Sequence, residues 1–546
     1  MRLLDTLPLL GLAVTALSTE QGVPEDTFHE SLTLHPLPDG KLSVLFQFTT
    51  HFSLHNNADG ERFEESHHSL TPPGLLLPLE RSGASEVTVS FTSGQWQQTR
   101  FGETGPLHYD TGGAGGEIRA WLKEGGGDTD EAWDSVRQAL GGLFCAGIGS
   151  QHTGATVRTY GNQANLTPFL SLLPSKGQSG LSKLLARPGN VLSWGFKTEG
   201  IHVVMPSEGK QGQWTGWWEG IVDLVPERGG SREFTISSVF KENLPRPFPR
   251  ASSSILRVIK PNDPNFSIDH TPKREKQQFV DGRYRDIAEW DLKDKSLAGQ
   301  DIKFSWDGEG NFVYPQIFEP PAITISRAVT DRYAGDGTFH IEIDNHGDED
   351  REALYSEFWP WWVKGWISEM SVRSVSRSGN ESDTLHAFNY LPSIPPTSST
   401  TTLRLRLTLP AQSTTTIEVP FTKLMLKYTD HVPDAERGRE ISSSVLAMLD
   451  VRGEEGWGTS RKTGGKPVIG ERDELRTART RIYGPKLLVD IPVPDFSMPY
   501  NVIIMSCTIM AIFFGSVHGR LVRKWAWLYD SKGLEVTEEV DVKKDE

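Results

Sequence analysis

The residue types that could do chemistry are few and scattered. His67 and His68 stand side by side in a charged stretch, ERFEESHHS. A metal site would need further ligands at defined spacing, and none follows, so the pair reads as part of a solvated loop. Gly112 to Gly116 (GGAGG) has neither G-x-G-x-x-G spacing nor a Gly-Lys-Ser/Thr end, and it reads as a flexible turn, not a phosphate loop. Cys145 lies within LFCAG and Cys507 within an apolar run, and neither has the electropositive setting that makes a reactive thiolate. Carboxylates are many, yet none is paired in an apolar setting that would raise a pKa. There is no H-E-x-x-H, G-x-S-x-G or Walker pattern. The chain therefore shows no catalytic constellation, no metal site and no cofactor site of its own.

The elements around these residues are mostly strands. Lys41–Thr50 alternates with Leu42, Val44, Phe46 and Phe48 on one face, and Glu86–Phe91 does so through Val87, Val89 and Phe91. Thr402–Leu409 (TLRLRLTL) separates four leucines from Arg404 and Arg406, and Ile417–Phe421 and Lys486–Ile491 continue the pattern. The clearest helix is Thr129–Leu143, capped by Asp128 or Thr129, with Trp133, Val136, Leu140 and Leu143 at helical spacing. A shorter helix is expected near Leu181–Ala186. Proline-rich sequence from about Asn243 to Pro264 marks a domain boundary, and the charged, glycine-rich stretch 451–480 reads as a mobile loop. Abundant Pro, Gly, Ser and Thr point to a mainly β fold with many turns. Phe358–Trp366 (FWPWWVKGW) carries four tryptophans and reads either as an exposed docking patch or as the aromatic core of a strand pair.

A membrane-crossing segment is legible near the C-terminus. Met498–Val517 is twenty uncharged, mostly apolar residues, enough to cross a hydrocarbon core of about 30 Å. Arg520, Arg523 and Lys524 follow, among Trp525, Trp527 and Tyr529, as at a membrane boundary. The start, Arg2 and then an apolar run from Leu7 to Leu17, fits a secretory signal cut after Ser18. Lys486 is the single cation in the fifteen residues before Met498, against three in the seven after Val517. That bias places the tail in the cytosol and the bulk of the chain on the lumenal side, a type I topology. With two cysteines and Cys507 inside the span, an internal lumenal disulfide is impossible. Cys145 is either a buried small hydrophobe or an intermolecular partner. Asn165, Asn265 and Asn380 head N-x-S/T sequons and should lie in surface loops as glycosylation acceptors. A net charge of −15 argues against a nucleic-acid partner.

Several collinear strings resemble the PIG-T subunit of glycosylphosphatidylinositol (GPI) transamidase. They are FHESLTLHPLPDGKLSVLFQF from Phe28, SFTSGQW from Ser90, ALGGLFCA from Ala139, NLTPFLSLLP from Asn165 with SGLSKLL following, FTKLMLKYTDHVPDAERG from Phe421, and VPDFSMPYNV from Val493. The resemblance covers nearly the whole chain. It implies a non-catalytic subunit of an endoplasmic reticulum membrane complex that attaches GPI anchors to preproprotein substrates, with a cysteine-protease-like catalytic dyad in another subunit. It implies β-sandwich-type lumenal domains that brace that subunit, and a juxtamembrane string that helps receive the GPI lipid head group. Asp495, Ser497 and Asn501 match the family's polar positions there. Their chemistry suits the role: Asp495 can pair with an ammonium, while Ser497 and Asn501 can donate to phosphate oxygens. The alternative role for Asp495–Asn501 is capping the helix.

Two departures stand out. Asn162 occupies the position where many relatives carry the cysteine of an intersubunit disulfide, and Glu436 replaces an asparagine in PDAERG. Lys543 and Lys544, three and four residues from the C-terminus, resemble a dilysine retrieval signal for the endoplasmic reticulum. The expected organisation is a signal peptide (1–18), a β-rich domain (19–245) with a helix near 129–143, a second β-sandwich-type domain (246–450), the charged loop (451–480), a juxtamembrane strand and lipid-site segment (481–497), a transmembrane helix (498–517) and a cytosolic tail (518–546).

Overall fold

The computed structural model describes residues 26–53, 70–94, 115–123, 128–144, 166–207, 211–280, 283–294, 297–316, 320–331, 335–393, 400–427, 438–449, 452–453, 456–457, 481–491, 497–529 and 535–539. The described chain is mainly β with few helices, and it falls into two compact units, 1–424 with 439–489 and 425–438 with 490–546.

The first unit opens with a nine-stranded sheet. Its strands are β1 (Thr27–Pro36), β2 (Lys41–Phe52), β3 (Ala84–Ser93), β4 (Gly115–Leu122), β5 (Phe196–Val204), β6 (Gly212–Asp223), β7 (Ser253–Ile259), β8 (Arg274–Val280) and β9 (Arg283–Asp291). Their order is β8-β9-β7-β1-β2-β6-β5-β3-β4. The β1–β2 hairpin turns at Asp39-Gly40, where the φ of +76° at Gly40 is one that glycine adopts without strain. Gly115 and Gly116 of the GGAGG stretch already belong to β4. One face of the sheet is apolar and carries α1 (Pro73–Arg81), α2 (Thr129–Leu143) and a small sheet of Phe234–Thr235, Lys303–Trp306 and Phe266–Ile268. Leu75, Leu76 and Leu79 of α1 and Val136 and Leu140 of α2 are buried in that core with Phe46, Phe48, Val87 and Val89.

On β6 the sequence GQWTGWWEG places Gly212, Trp214, Gly216, Trp218 and Gly220 on this same face. A Cβ on Gly220 would lie 2.5 Å from the Trp194 ring and 2.7 Å from Trp218, so the small residues make room for the indoles. Alternating large and small residues in this way fills one face of a strand without gaps.

The boundary expected near residue 246 falls inside this sheet. β7 pairs in parallel with β1 (Ser31 opposite Ile255) and antiparallel with β9. The proline-rich stretch before it is docked, with Phe248 edge-on to Phe28 at 5.6 Å. Composition suggested a linker because a parallel partner more than two hundred residues away leaves no local signature.

The rest of the unit is a two-sheet sandwich. One sheet holds β10 (Ile323–Asp331), β11 (Asp336–Asn345), β13 (Ser371–Ser376), β16 (Ser413–Lys423) and the short strands Glu381–Ser382 and Val363–Gly365. The other runs β14-β15-β12-β17-β18: β14 (Leu385–Leu391), β15 (Thr401–Leu409), β12 (Arg351–Trp359), β17 (Val445–Met448) and β18 (Arg481–Tyr483). Leu403, Leu405, Leu407 and Leu409 face inward and are fully buried, as the TLRLRLTL alternation requires. They meet Phe339, Ile341, Ile417 and Val419 from the opposite sheet, all buried. The hydroxyl of Tyr483 on β18 donates to Glu117 of β4 at 2.7 Å, a link between the sandwich and the edge of the nine-stranded sheet.

In the second unit the dominant element is a 26-residue helix, Ser497–Val522. It continues five residues past the expected end at Val517, because His518 and Arg520 are tolerated in a helix and a long cationic side chain can reach a membrane surface from within its last turn. After it, Trp525–Tyr529 pairs antiparallel with Glu535–Glu539.

Candidate functional site

Tyr500–Val522 is the one helix among the described residues long and apolar enough to cross a membrane, with a mean hydropathy of 1.9 over its most apolar window and no burial by the rest of the chain. At 1.5 Å per residue, 23 residues reach about 35 Å. Ser497 opens the helix and Asn501 is exposed one turn later, so the two occupy the same face at i and i+4. Asp495 lies outside the described residues. Thr508, at a position continuing that face, turns its hydroxyl back to the Ile504 carbonyl at 2.8 Å. Of the three residues expected from the sequence at this entrance, Ser497 and Asn501 thus fall on the helix.

The other expected sites separate in the same way. Asn265 is exposed in the turn before Phe266–Ile268, its N–H donating to the Asp263 carboxylate at 3.0 Å. Asn380 is exposed beside Gly379 (φ +81°) in the turn joining β13 to Glu381–Ser382. Both are surface turns, where a glycan could be carried. Asn165, Asn162, Cys145, His67, His68, Glu436, Lys543 and Lys544 lie outside the described residues, as does the expected signal segment, 1–18. Of the 451–480 stretch, only Arg452–Gly453 paired with Gly456–Trp457 is described.

The tryptophan cluster divides between its two readings. Trp359 and Trp362 are fully buried, Trp359 stacked on Phe339 at 5.1 Å. Trp366 is 38% exposed, its Nε1–H donating to Thr422 at 2.8 Å and the Lys364 ammonium 4.6 Å from its ring. The stretch is mainly core, with one aromatic at the surface.

Among the charged residues buried in the β unit, Glu30, Glu199, Arg327 and Glu357 were not singled out by the sequence. Glu30 of β1 accepts hydrogen bonds from the Leu181 and Phe248 N–H groups (3.0 and 3.1 Å) and the Ser254 hydroxyl (2.7 Å). Burial pushes its carboxyl above the ordinary range, against the pull of those three bonds. Arg327 of β10 meets Glu357 of β12 at 2.5 Å, both side chains with no exposure. Glu199 of β5 has no such arrangement: its Oε2 is buried without a hydrogen-bond partner, and burial pushes its carboxyl to about 8. All four sit in phase with apolar neighbours on alternating strands: Glu30 with Phe28 and Leu32, Glu199 with Ile201 and Val203, Arg327 with Ile323 and Ile325, Glu357 with Ala353 and Tyr355. That phase is the sequence signal that could have found them.

Glu199 gives the fold a pH dependence. A carboxyl raised from 4.5 to about 8 contributes stability that is fully present below 4.5 and lost as pH rises through 8. Glu199→Gln keeps a neutral side chain of the same shape. Its thermal midpoint should pull progressively ahead of the parent's between pH 5 and 8 and hold a constant lead above. Parallel curves across that range would contradict the assignment.

The described residues form a β-rich unit and, after it in the chain, one helix long and apolar enough to cross a membrane. Residues 10–164, 162–232 and 226–544 match the family described as Gpi16 subunit, GPI transamidase component. The chain belongs to this Gpi16 (PIG-T) family. Among its relatives is the human GPI-anchor transamidase component PIGT, 24% identical over 550 residues covering 92% of this chain and 91% of that one. The Saccharomyces cerevisiae GPI transamidase component GPI16 is 24% identical over 594 residues, 96% of this chain and 93% of the other. The Schizosaccharomyces pombe PIG-T homolog is 22% identical over 554 residues, with 96% and 94% covered.

Proposed function

We propose that this chain is a non-catalytic component of GPI transamidase, held in the endoplasmic reticulum membrane by its C-terminal helix with the β unit in the lumen. Its β domains brace the catalytic subunit, and the residues at the lumenal end of the helix receive the GPI lipid head group. The observation that carries the reading is the family match, which runs from residue 10 through the helix to residue 544 and so includes both the β unit and the anchor.

The lipid-site part follows from position. Ser497 and Asn501 stand on one face in the first turns of a helix whose apolar body begins immediately after. Asn501 at a lipid boundary costs free energy unless it finds a polar partner, and a phosphate or sugar hydroxyl supplies one. Asp495, just before the helix, offers a charge to the ammonium of an ethanolamine.

Asp495→Ala with Asn501→Leu should leave the complex assembled and lower GPI attachment by roughly tenfold, the scale of one lost charge-assisted hydrogen bond. Surface display of an anchored reporter, read beside recovery of the complex, checks this. Unchanged display would remove the lipid-site assignment, and loss of assembly would make these residues structural.

A further inference from the structure

Free sheet edges invite pairing with other chains, and among the described residues the nine-, six- and five-stranded sheets guard most of theirs. At the outer edges of the nine-stranded sheet, β8 exposes Arg274, Glu275 and Lys276, and β4 carries Glu117 and Arg119 as an ion pair at 3.3 Å. β10 points Arg327 inward, the opposite edge of its sheet is two residues long, and β18 is three.

Among the described edges of these large sheets, β14 is the exception. Leu385-His-Ala-Phe-Asn-Tyr-Leu391 pairs with β15 on one side only and holds no proline, lysine, arginine or carboxylate. A bulge between Leu385 and Ala387 leaves Phe388–Leu391 in regular register. Phe388 and Tyr390 lie opposite Leu405 and Leu403, on the side that forms the sandwich core. Yet Phe388 is 53% exposed and Leu391 on the other face 55%. The facing sheet therefore does not cover this edge.

We propose that β14 is a docking edge to which an extended segment of another transamidase subunit adds as a sixth strand. The inference rests on the reading that this chain assembles into that complex. Unpaired backbone N–H and C=O groups along the edge select a partner in extended conformation, since an added strand satisfies them all. Side-chain chemistry narrows it further. Alternate residues of the incoming strand must be apolar to lie over Phe388. On the other face Arg404, opposite Asn389 and in no ion pair among the described residues, favours an acidic residue.

The test uses the full-length chain co-expressed with the other subunits and purified in detergent. Amides of 387–391 should exchange rapidly in the isolated chain and at least tenfold more slowly in the complex. Phe388→Glu should cut recovery of one subunit at least tenfold while leaving the isolated chain's thermal midpoint unchanged, with Phe388→Ser as a milder second variant. Fast exchange in the complex with full recovery from both variants would overturn the proposal. So would protection of the same amides in the isolated chain with doubled mass, which would make the occupant a second copy. If the parent chain recovers no transamidase subunit at all, the functional reading fails instead.

Discussion

Glu357→Leu is expected to destabilise the sandwich by about 3–5 kcal/mol, the cost of leaving a buried cation without its counter-ion. Arg327 crosses from one sheet to the other, its Nη2 on Glu357 at 2.5 Å and its Nη1 on the Ser442 and Pro485 carbonyls at 2.7 and 3.2 Å. Glu357 in turn accepts from the Tyr355 hydroxyl and from Trp359 Nε1 at 3.2 Å. Tyr355, Glu357 and Trp359 follow at two-residue spacing, so one face of β12 supplies the carboxylate and two of its donors. Burial first, and then the charge of Glu357, hold the Tyr355 phenol well above its ordinary pKa, so it stays a donor. The double change Arg327→Met with Glu357→Leu removes both charges and should recover most of the loss. Pulse proteolysis in urea, following cleavage within residues 323–448, reads the sandwich by itself. If the single variant resists as well as the double, the pair does not hold the sheets together.

Glu30→Ala should be the most damaging single change in the N-terminal sheet. It strips the acceptor from two backbone N–H groups and one hydroxyl, of which the Leu181 N–H and the Ser254 hydroxyl are buried and the Phe248 N–H partly so, at about 1–3 kcal/mol for each buried donor left unpaired. The residues involved, 30, 181, 248 and 254, are distant in sequence, so one carboxylate ties β1 to the turn at 181, to the proline-rich stretch and to β7. Gly180 shows how closely the loop is drawn in: its φ is +66°, and a Cβ there would sit 2.4 Å from Glu30 Oε2. Glu30→Gln retains an acceptor oxygen but turns an NH₂ toward donors, and should fall between parent and alanine. Amide exchange at Leu181 and Phe248 reads the effect directly. Exchange unchanged in the alanine variant would show that the three donors have other partners.

These two networks also show where reading along the chain stops. The strings FHESLTLHP and SGLSKLL could be seen as family features, but nothing local says that Glu30 reaches into the second of them. Alternation located β2, β3, β15 and β16 because each strand records its own buried face at every second residue. It located α2 to the residue, Thr129–Leu143, because helical spacing of apolar residues and a cap at Asp128 or Thr129 are both local. The 246 boundary went astray for the opposite reason, since β7 earns its place only from β1 and β9.

Amino-acid order alone determined the β class, the membrane-length helix and the family, because periodicity, hydropathy and extended motif strings are properties of neighbouring residues. Ser497 and Asn501 share a face by helical spacing alone, since both lie in one helix. Only the tertiary structure decided which strands are neighbours, that Trp359 and Trp362 are core while Trp366 is not, and that no strand among the described residues covers the outer edge of β14. It also decided which charges are buried, since the energy of Glu30, Glu199, Arg327 and Glu357 depends on groups that the fold, and not the chain, brings within reach.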